Sequence, residues 1–297
     1  MPFALDESTP NLTGAALPTL VEGHAALVAA WMRDQGVRPS LVYIDPPFAT
    51  GRTFDLTPRA TPDAVAAASP PAARVRAYDD RWDSFDDYLD EMRRWLEAIR
   101  DLVCDDGSLL LHCDHRAAPY LAMLCDRIFG FGDRGRGGPG FRNELIWSYG
   151  LGGSSPRYHP RKHDTILWYT VGADWFFEPH RIPATSNRMA GKLKKAPDVL
   201  EIPTINNMAR ERTGYPTQKP LALLDRLLAC HAPPGSTVAD LCCGSGTTLV
   251  AGHNRGHAVW GADIGRPAIE TAARRLTGAG AGVTIWRAAP AAPPRAG

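Results

Sequence analysis

The sequence predicts an α/β fold with a mostly parallel sheet. Three observations predict it. Short apolar runs at residues 41–44, 108–113 and 238–240 alternate with stretches of helical periodicity, and strand–helix alternation makes parallel sheets with crossovers. The first run, Leu41-Val42-Tyr43-Ile44, is rich in β-formers and stops at proline, as a buried parallel strand does. A carboxylate, Asp45, stands at the end of the first run, where open α/β sheets bind ligands.

With 297 residues, 44% hydrophobic and 22% charged, the chain can bury a sizeable core. The length suits one large domain, alone or with a small insert. The net charge is +1, so any nucleic-acid surface must be a local basic patch. The six cysteines include no C-x-x-C pair and no secretory leader is recognisable. They read as reduced thiols, mostly in the core, of a cytoplasmic protein. No apolar run approaches about 18 residues, so no membrane span is expected. His112, Cys113, Asp114 and His115 cluster without a second ligand pair at zinc spacing. They read as a polar strand end, with no metal.

Residues 1–18 lack periodicity and read as an irregular arm. Thr19 to His24 looks like a strand and turn. Ala25 to Met32 looks like a helix with Leu27, Val28 and Trp31 on one face. After the run at 41–44 come Asp45, Pro46, Pro47 and Phe48. The prolines fix two φ angles and have no N–H. The result is a stiff turn in which Asp45 and the Pro46 carbonyl can accept an amino group's hydrogens while Phe48 stacks on a flat ring. Ala49 to Arg81 has no period and leaves directly from that turn, so it reads as a lid loop.

Ser84 to Val103 carries a continuous helical apolar stripe, and Ser84 with Asp87 resembles a capping box. Ser108 to Cys113 is the next strand, and Ala117 to Phe129 the next helix, stopped by Gly130. Arg134 to Gly140 reads as an exposed basic loop. Residues 144–149 and 165–170 are aromatic-rich strands of a hairpin. Their connecting loop holds Arg157, Arg161 and Lys162, candidate phosphate contacts. Residues 172–213 interleave Trp175, Phe176 and Phe177 with Arg188, Lys192, Lys194, Lys195, Arg210 and Arg212.

Pro220 to His231 is an amphipathic helix. The strand at 238–240 then meets a turn, Cys242-Cys243-Gly244-Ser245-Gly246-Thr247-Thr248, and a helix covering at least Leu249 to His253. Glycines 244 and 246 permit close backbone approach to a ligand. Position 249 is Leu, so the full dinucleotide fingerprint is absent. The strand from Ala258 ends on Asp263, about 20 residues past the glycines, where an acid can bond ribose hydroxyls. A helix from Pro267 to Leu276 and a short strand at 283–286 follow. Residues 288–297 are Pro/Ala-rich and read as an irregular tail.

Together these stretches resemble the amino-methylating DNA methyltransferases that use S-adenosylmethionine. Asp45-Pro46-Pro47-Phe48 matches that family's catalytic tetrapeptide, Asp240 to Thr248 its cofactor loop, and Thr217-Gln218-Lys219-Pro220 the segment before the loop. Catalytic motif first and cofactor loop last looks like the permuted β group. The resemblance implies a circularly permuted S-adenosylmethionine-dependent methyltransferase fold, with a mostly parallel seven-stranded sheet and a terminal antiparallel hairpin. It implies a catalytic half over 19–171, with its lid at 49–81. A target-recognition insert over 172–213 and a cofactor half over 214–287 follow. The cofactor set is His24, Asp45, Thr217, Gln218, Lys219, Asp240, Cys242, Gly244, Ser245, Gly246, Thr247, Thr248 and Asp263. His24 stands where the family often has Asp touching the cofactor's adenine.

The implied reaction is methylation of the exocyclic amine of a base flipped from double-stranded DNA. The base is adenine at N6, with cytosine N4 as the alternative, because Asp rather than Ser stands at position 45. Asp45 and the Pro46 carbonyl would accept the amine's hydrogens, and Phe48 would hold the ring. No cysteine stands on that turn, so carbon-5 methylation is excluded. An RNA methyltransferase and a non-catalytic DNA-binding module are the weaker readings. A second copy of the chain is a further expected partner.

Overall fold

A computed structural model describes residues 3–6, 17–56, 75–150, 154–186, 188, 190–206 and 208–288. In chain order the strands are β1 (Phe3–Leu5), β2 (Thr19–Glu22), β3 (Leu41–Ile44), β4 (Arg52–Leu56), β5 (Val75–Asp80), β6 (Ser108–Cys113), β7 (Gly140–Ser148), β8 (His163–Thr170), β9 (Arg181–Pro183), β10 (Leu193–Lys195), β11 (Val199–Glu201), β12 (Thr237–Asp240), β13 (Ala258–Asp263) and β14 (Thr284–Ala288). The helices are α1 (Ala25–Asp34), α2 (Phe85–Leu102), α3 (Ala118–Phe129), α4 (Leu221–His231), α5 (Thr247–Asn254) and α6 (Arg266–Gly278).

Ten strands form the main sheet in the order β1-β14-β2-β13-β12-β3-β6-β8-β7-β11. The expected seven-stranded sheet is its centre, β2 to β7. Strand β8 runs antiparallel to β6 and β7, giving the expected hairpin. The chain builds outward from β3 in one direction and from β12 in the other. These two strands are neighbours, with Asp240 opposite Tyr43. Asp45 and Asp240 therefore stand side by side at the point where strand order reverses, where such sheets hold ligands.

Every residue of β3 is buried, because helices cover both faces. Alternate side chains point to opposite faces. Val42 and Ile44 pack with Val28, Met92, Leu96 and Ile99 of α1 and α2. Leu41 and Tyr43 pack with Leu224, Leu227 and Leu228 of α4. Helix α2 begins where its cap predicts: Ser84 Oγ accepts the Asp87 N–H at 3.1 Å, which satisfies one of the otherwise unpaired N–H groups of the first turn.

The structure corrects several expectations. Within the supposed irregular arm, Phe3–Leu5 is an edge strand on β14, and Phe3 is buried against Trp31 at 5.2 Å between ring centroids. Ala288, expected to open the tail, ends β14. The lid interval is not loop throughout: β4 and β5 pair as an antiparallel hairpin. Residues 57–74, the rest of that interval, lie outside the described residues. The insert expected over 172–213 is tied to the sheet, because β11 pairs in parallel with β7. On α1, Leu27 is 63% exposed, while Val28 and Trp31 are buried as expected.

Candidate active site

The carboxyl ends of β3 and β12 open into a cavity of about 780 Å³, a size typical of ligand pockets. Its walls come from the β3 turn, the β12 turn, the β4–β5 hairpin, the segment 215–219 and the start of β8. Within the hairpin wall Phe54 stacks on Tyr78 at 4.7 Å.

On the β3 side, Asp45 Oδ2 accepts a hydrogen bond from Lys219 Nζ in a mostly buried ion pair. Asp45 Oδ1 is buried and has no hydrogen-bond partner among the described residues. A buried acceptor without a partner costs free energy, and Asp45 lines the cavity. Pro46, Pro47 and Phe48 line the same cavity. The Phe48 ring lies over His112 at 6.2 Å and 20°, with Lys219 Nζ 5.6 Å from its centroid.

His112 is fixed from both ends. Nδ1 lies 2.9 Å from the Tyr43 hydroxyl, and Nε2 lies 3.1 Å from Asp164 Oδ2. Tyr149 donates to the other Asp164 oxygen at 3.3 Å. Burial pushes the Asp164 carboxyl up, but the hydrogen bonds from His112 and Tyr149 and the charges of His112 and Lys219 outweigh it and hold it below the ordinary value. Both imidazole nitrogens are thus engaged within the fold.

On the β12 side the chain satisfies itself. Gly244 has φ +49°, which glycine adopts at no steric cost. Its N–H donates to Asp263 Oδ2 at 2.9 Å, and the Gly265 N–H donates to Oδ1 at 2.8 Å. The Cys242 N–H donates to Asp240 Oδ1 at 3.0 Å. Burial pushes Asp240 up to about 7, with Asp45 and Asp263 adding to the rise. Burial likewise pushes Asp263 up to about 6. Burial and these carboxylates raise the Cys242 and Cys243 thiols, which leaves them as thiols rather than nucleophilic thiolates.

Several expected cofactor residues are engaged elsewhere. Gly246 is absent from the cavity lining. A Cβ there would sit 2.7 Å from that of Ala272, so this glycine lets α6 approach the turn. Ser245 and Thr247 line the cavity but are also held by Arg275 Nη1, at 3.2 and 2.8 Å from their hydroxyls. Gln218 spans its own loop, accepting from Thr213 and donating to the Glu211 carbonyl. Those bonds cross the expected boundary at 214. His24 lines the cavity, with Nε2 2.7 Å from Glu91 Oε1. Thr217, at φ +56°, meets the Tyr78 hydroxyl at 3.3 Å, and Thr248 lines the cavity beside Asp240.

Of the expected DNA contacts, Arg161 lines the cavity and lies 4.5 Å over the Tyr158 ring. Lys162 donates to the Gly150 carbonyl at 3.0 Å. Arg157, Arg188, Lys192, Lys194 and Lys195 are exposed, with Lys194 donating to Thr185 at 3.1 Å. Sequence reasoning missed Tyr78, Asp164 and Tyr215 in the lining. Tyr78 falls inside the expected lid, Asp164 just before the aromatic run at 165–170, and Tyr215 just before the matched segment at 217–220.

Comparison with known proteins identifies the family. The Type II methyltransferase M.HpaI of Haemophilus parainfluenzae is 24% identical over 241 residues, 80% of this chain and 67% of the relative. The DNA adenine methyltransferase YhdJ of Escherichia coli K12 is 23% identical over 286 residues, 90% of this chain and 85% of that one. The solved M1.HpyAVI–SAM complex superposes with a TM-score of 0.60 at 19% identity, covering 88% of this chain and 99% of its own. The cytosine-N4-specific PvuII DNA methyltransferase gives 0.58 at 13% identity, covering 87% and 86%. Residues 40–274 match the N6_N4_Mtase family of DNA methylases, and the chain belongs to that family.

Proposed function

We propose that Asp45 and its turn carry methyl transfer to adenine N6 of double-stranded DNA. Family membership makes the chain a methyltransferase of exocyclic amines that uses S-adenosylmethionine. The observation that carries the residue assignment is Asp45, which lines the cavity at the carboxyl end of β3 and whose buried Oδ1 has no partner among the described residues.

S-adenosylmethionine, when bound, supplies an electrophilic methyl group carried on a sulfonium. The cavity suits a cation, since Asp45, Asp240 and Asp263 all line it. Gly244, Asp240 and Asp263 would hold the donor, with His24, Cys242, Thr217 and Thr248 beside it. An exocyclic amine is a poor nucleophile because its lone pair is delocalised into the ring. Asp45 Oδ1 and the Pro46 carbonyl accept its two hydrogens, localise that lone pair and stabilise the developing positive charge. Lys219 keeps the other Asp45 oxygen occupied, which leaves Oδ1 for the amine. Phe48, backed by His112, offers a face for the flipped base.

Adenine is favoured over cytosine by Asp at position 45, a tendency of the family. In this reading the chain is a permuted member. Residues 19–171 form its catalytic half, and 214–287 its cofactor half. Residues 172–213 recognise the target, and the segment around the β4–β5 hairpin closes on DNA. The test is DNA methylated with labelled donor and digested to nucleosides. Label in N6-methyladenosine supports the assignment. Label in N4-methylcytidine overturns the base but keeps the mechanism, and label in 5-methylcytidine overturns both. No helix among the described residues is long and apolar enough to cross a membrane, and a cytoplasmic location is part of the proposal.

A further inference from the structure

We infer that Asp80, outside the family motifs described above, is the positioning residue that sets the shape of the catalytic turn. The inference rests on the role proposed for Asp45 and Phe48. Pro46 and Pro47 offer no N–H, so the first backbone donors after Asp45 belong to Phe48, Ala49 and Thr50. All three point at one carboxylate. Asp80 accepts from Phe48 N at 3.3 Å, Ala49 N at 2.9 Å and Thr50 N at 2.8 Å. It also accepts from Thr50 Oγ1 at 2.6 Å and Trp82 Nε1 at 3.2 Å. Asp80 is 1% exposed. Successive N–H groups converging on an anion form a nest, and here the anion is the protein's own side chain.

The backbone between those bonds is strained. Ala49 has φ +55°, a left-handed conformation uncommon for a residue with a Cβ. Such a conformation persists where its surroundings over-determine it, and the bonds to Asp80 do that. The Asp80 carbonyl adds a further bond, from Gly51 N at 3.0 Å. Asp80 also ends β5, so it joins the turn to the hairpin wall. The far side of that wall reaches the donor side of the cavity: Tyr78 meets Thr217, and Ala77 packs with Tyr215 and Ala268. One carboxylate thereby links the turn that holds the amine to a wall that borders the donor.

The test is Asp80→Asn, which keeps the shape but replaces one acceptor oxygen by a donor and removes the charge. Three readouts are taken on the full chain. They are methyl transfer from labelled donor to unmethylated genomic DNA, donor binding by calorimetry, and amide hydrogen exchange. The expected result is a turnover about 10- to 100-fold lower, the scale of a misplaced reacting group. Donor affinity should stay within about threefold. Exchange should quicken at 48–50 while β3 stays protected. Adding Ala49→Gly should recover much of the turnover, because glycine adopts positive φ without the carboxylate's help.

Wild-type turnover in Asp80→Asn, unchanged exchange at 48–50, or no recovery in the double variant would each overturn the inference. If Asp80→Asn does not fold, Thr50→Val removes the hydroxyl donor alone. It should quicken the same local exchange and lower turnover several-fold; no change in either overturns the inference. If the wild type transfers no methyl to DNA, the role given to Asp45 fails separately. The exchange measurement then still reads whether Asp80 pins the turn.

Discussion

The two halves of the cavity start from the same device, a buried strand ending at a carboxylate, and differ in what their acceptors do. On the β12 side, both Asp263 oxygens hold backbone N–H groups, and Asp240 holds that of Cys242. That side is a turn satisfied by its own chain. On the β3 side, Lys219 takes one Asp45 oxygen and no described residue takes the other. Binding profits from a rigid, self-satisfied wall, whereas chemistry needs an acceptor free to act when charge develops. The difference predicts that the two sides fail in different ways.

The largest effect belongs to Asp45. Asp45→Asn should lower turnover by about 10²-fold or more, by analogy with the loss of an oxyanion donor. Donor binding measured by calorimetry should change little. Equal loss of donor binding would erase the distinction between the two sides.

Gly244→Val should give the opposite pattern. A left-handed backbone costs an ordinary residue roughly 1–2 kcal/mol, and a Cβ there would lie 3.1 Å from the Tyr215 ring. Donor affinity should fall by about tenfold or more, since 1.4 kcal/mol is a decade. Asp263→Ala should weaken the donor too, because it frees the Gly244 and Gly265 N–H groups. Wild-type donor affinity in both variants would show that the turn does not hold the donor.

A pH titration sharpens the comparison. Asp240 and Asp263 sit at about 7 and about 6 in the folded chain, against about 3.9 for an ordinary aspartate. The folded state therefore holds protons that the unfolded state releases, and stability contributed by these groups falls as pH rises from about 4 to about 7. A cationic donor favours the ionised carboxylates. Its affinity should rise by under about tenfold between pH 5.5 and 7.5, with proton release. Asp240→Asn should flatten that rise. Affinity that falls with pH would break the electrostatic account of this side.

The smallest effect lies outside the cavity. Neutralising Arg157, Lys162, Lys192, Lys194 and Lys195 one at a time should weaken DNA binding across sequences. Each side chain that pairs with a phosphate should, when neutralised, flatten the log–log salt slope by about one unit. An unchanged slope in the combined variant would put the DNA elsewhere.

Much of the fold was legible in local pattern. The strands at 41–44, 108–113 and 238–240 and the stripe of α2 could be read because burial on both faces, or on one helical face, imposes a composition. The short edge strands β1 and β11 were not legible. Each is three residues long and exists because a neighbouring strand offers it an edge. The same limit applied within the motifs. Gly244 and Gly246 look alike in the sequence, yet one lines the cavity and the other admits Ala272 of α6.

The sequence by itself determined the α/β class, the two strand-end carboxylates and the chemistry open to them, because these depend on residue type and short-range spacing. Only the tertiary structure decided which partner each polar atom has. Lys219 reaches Asp45 across 174 positions, Gly244 reaches Asp263 across 19, and Asp80 reaches the turn across about 30. Such pairings arise when packing excludes water and most buried donors and acceptors find a partner inside the fold. That tendency acts on atoms adjacent in space, and no local pattern records which atoms those will be.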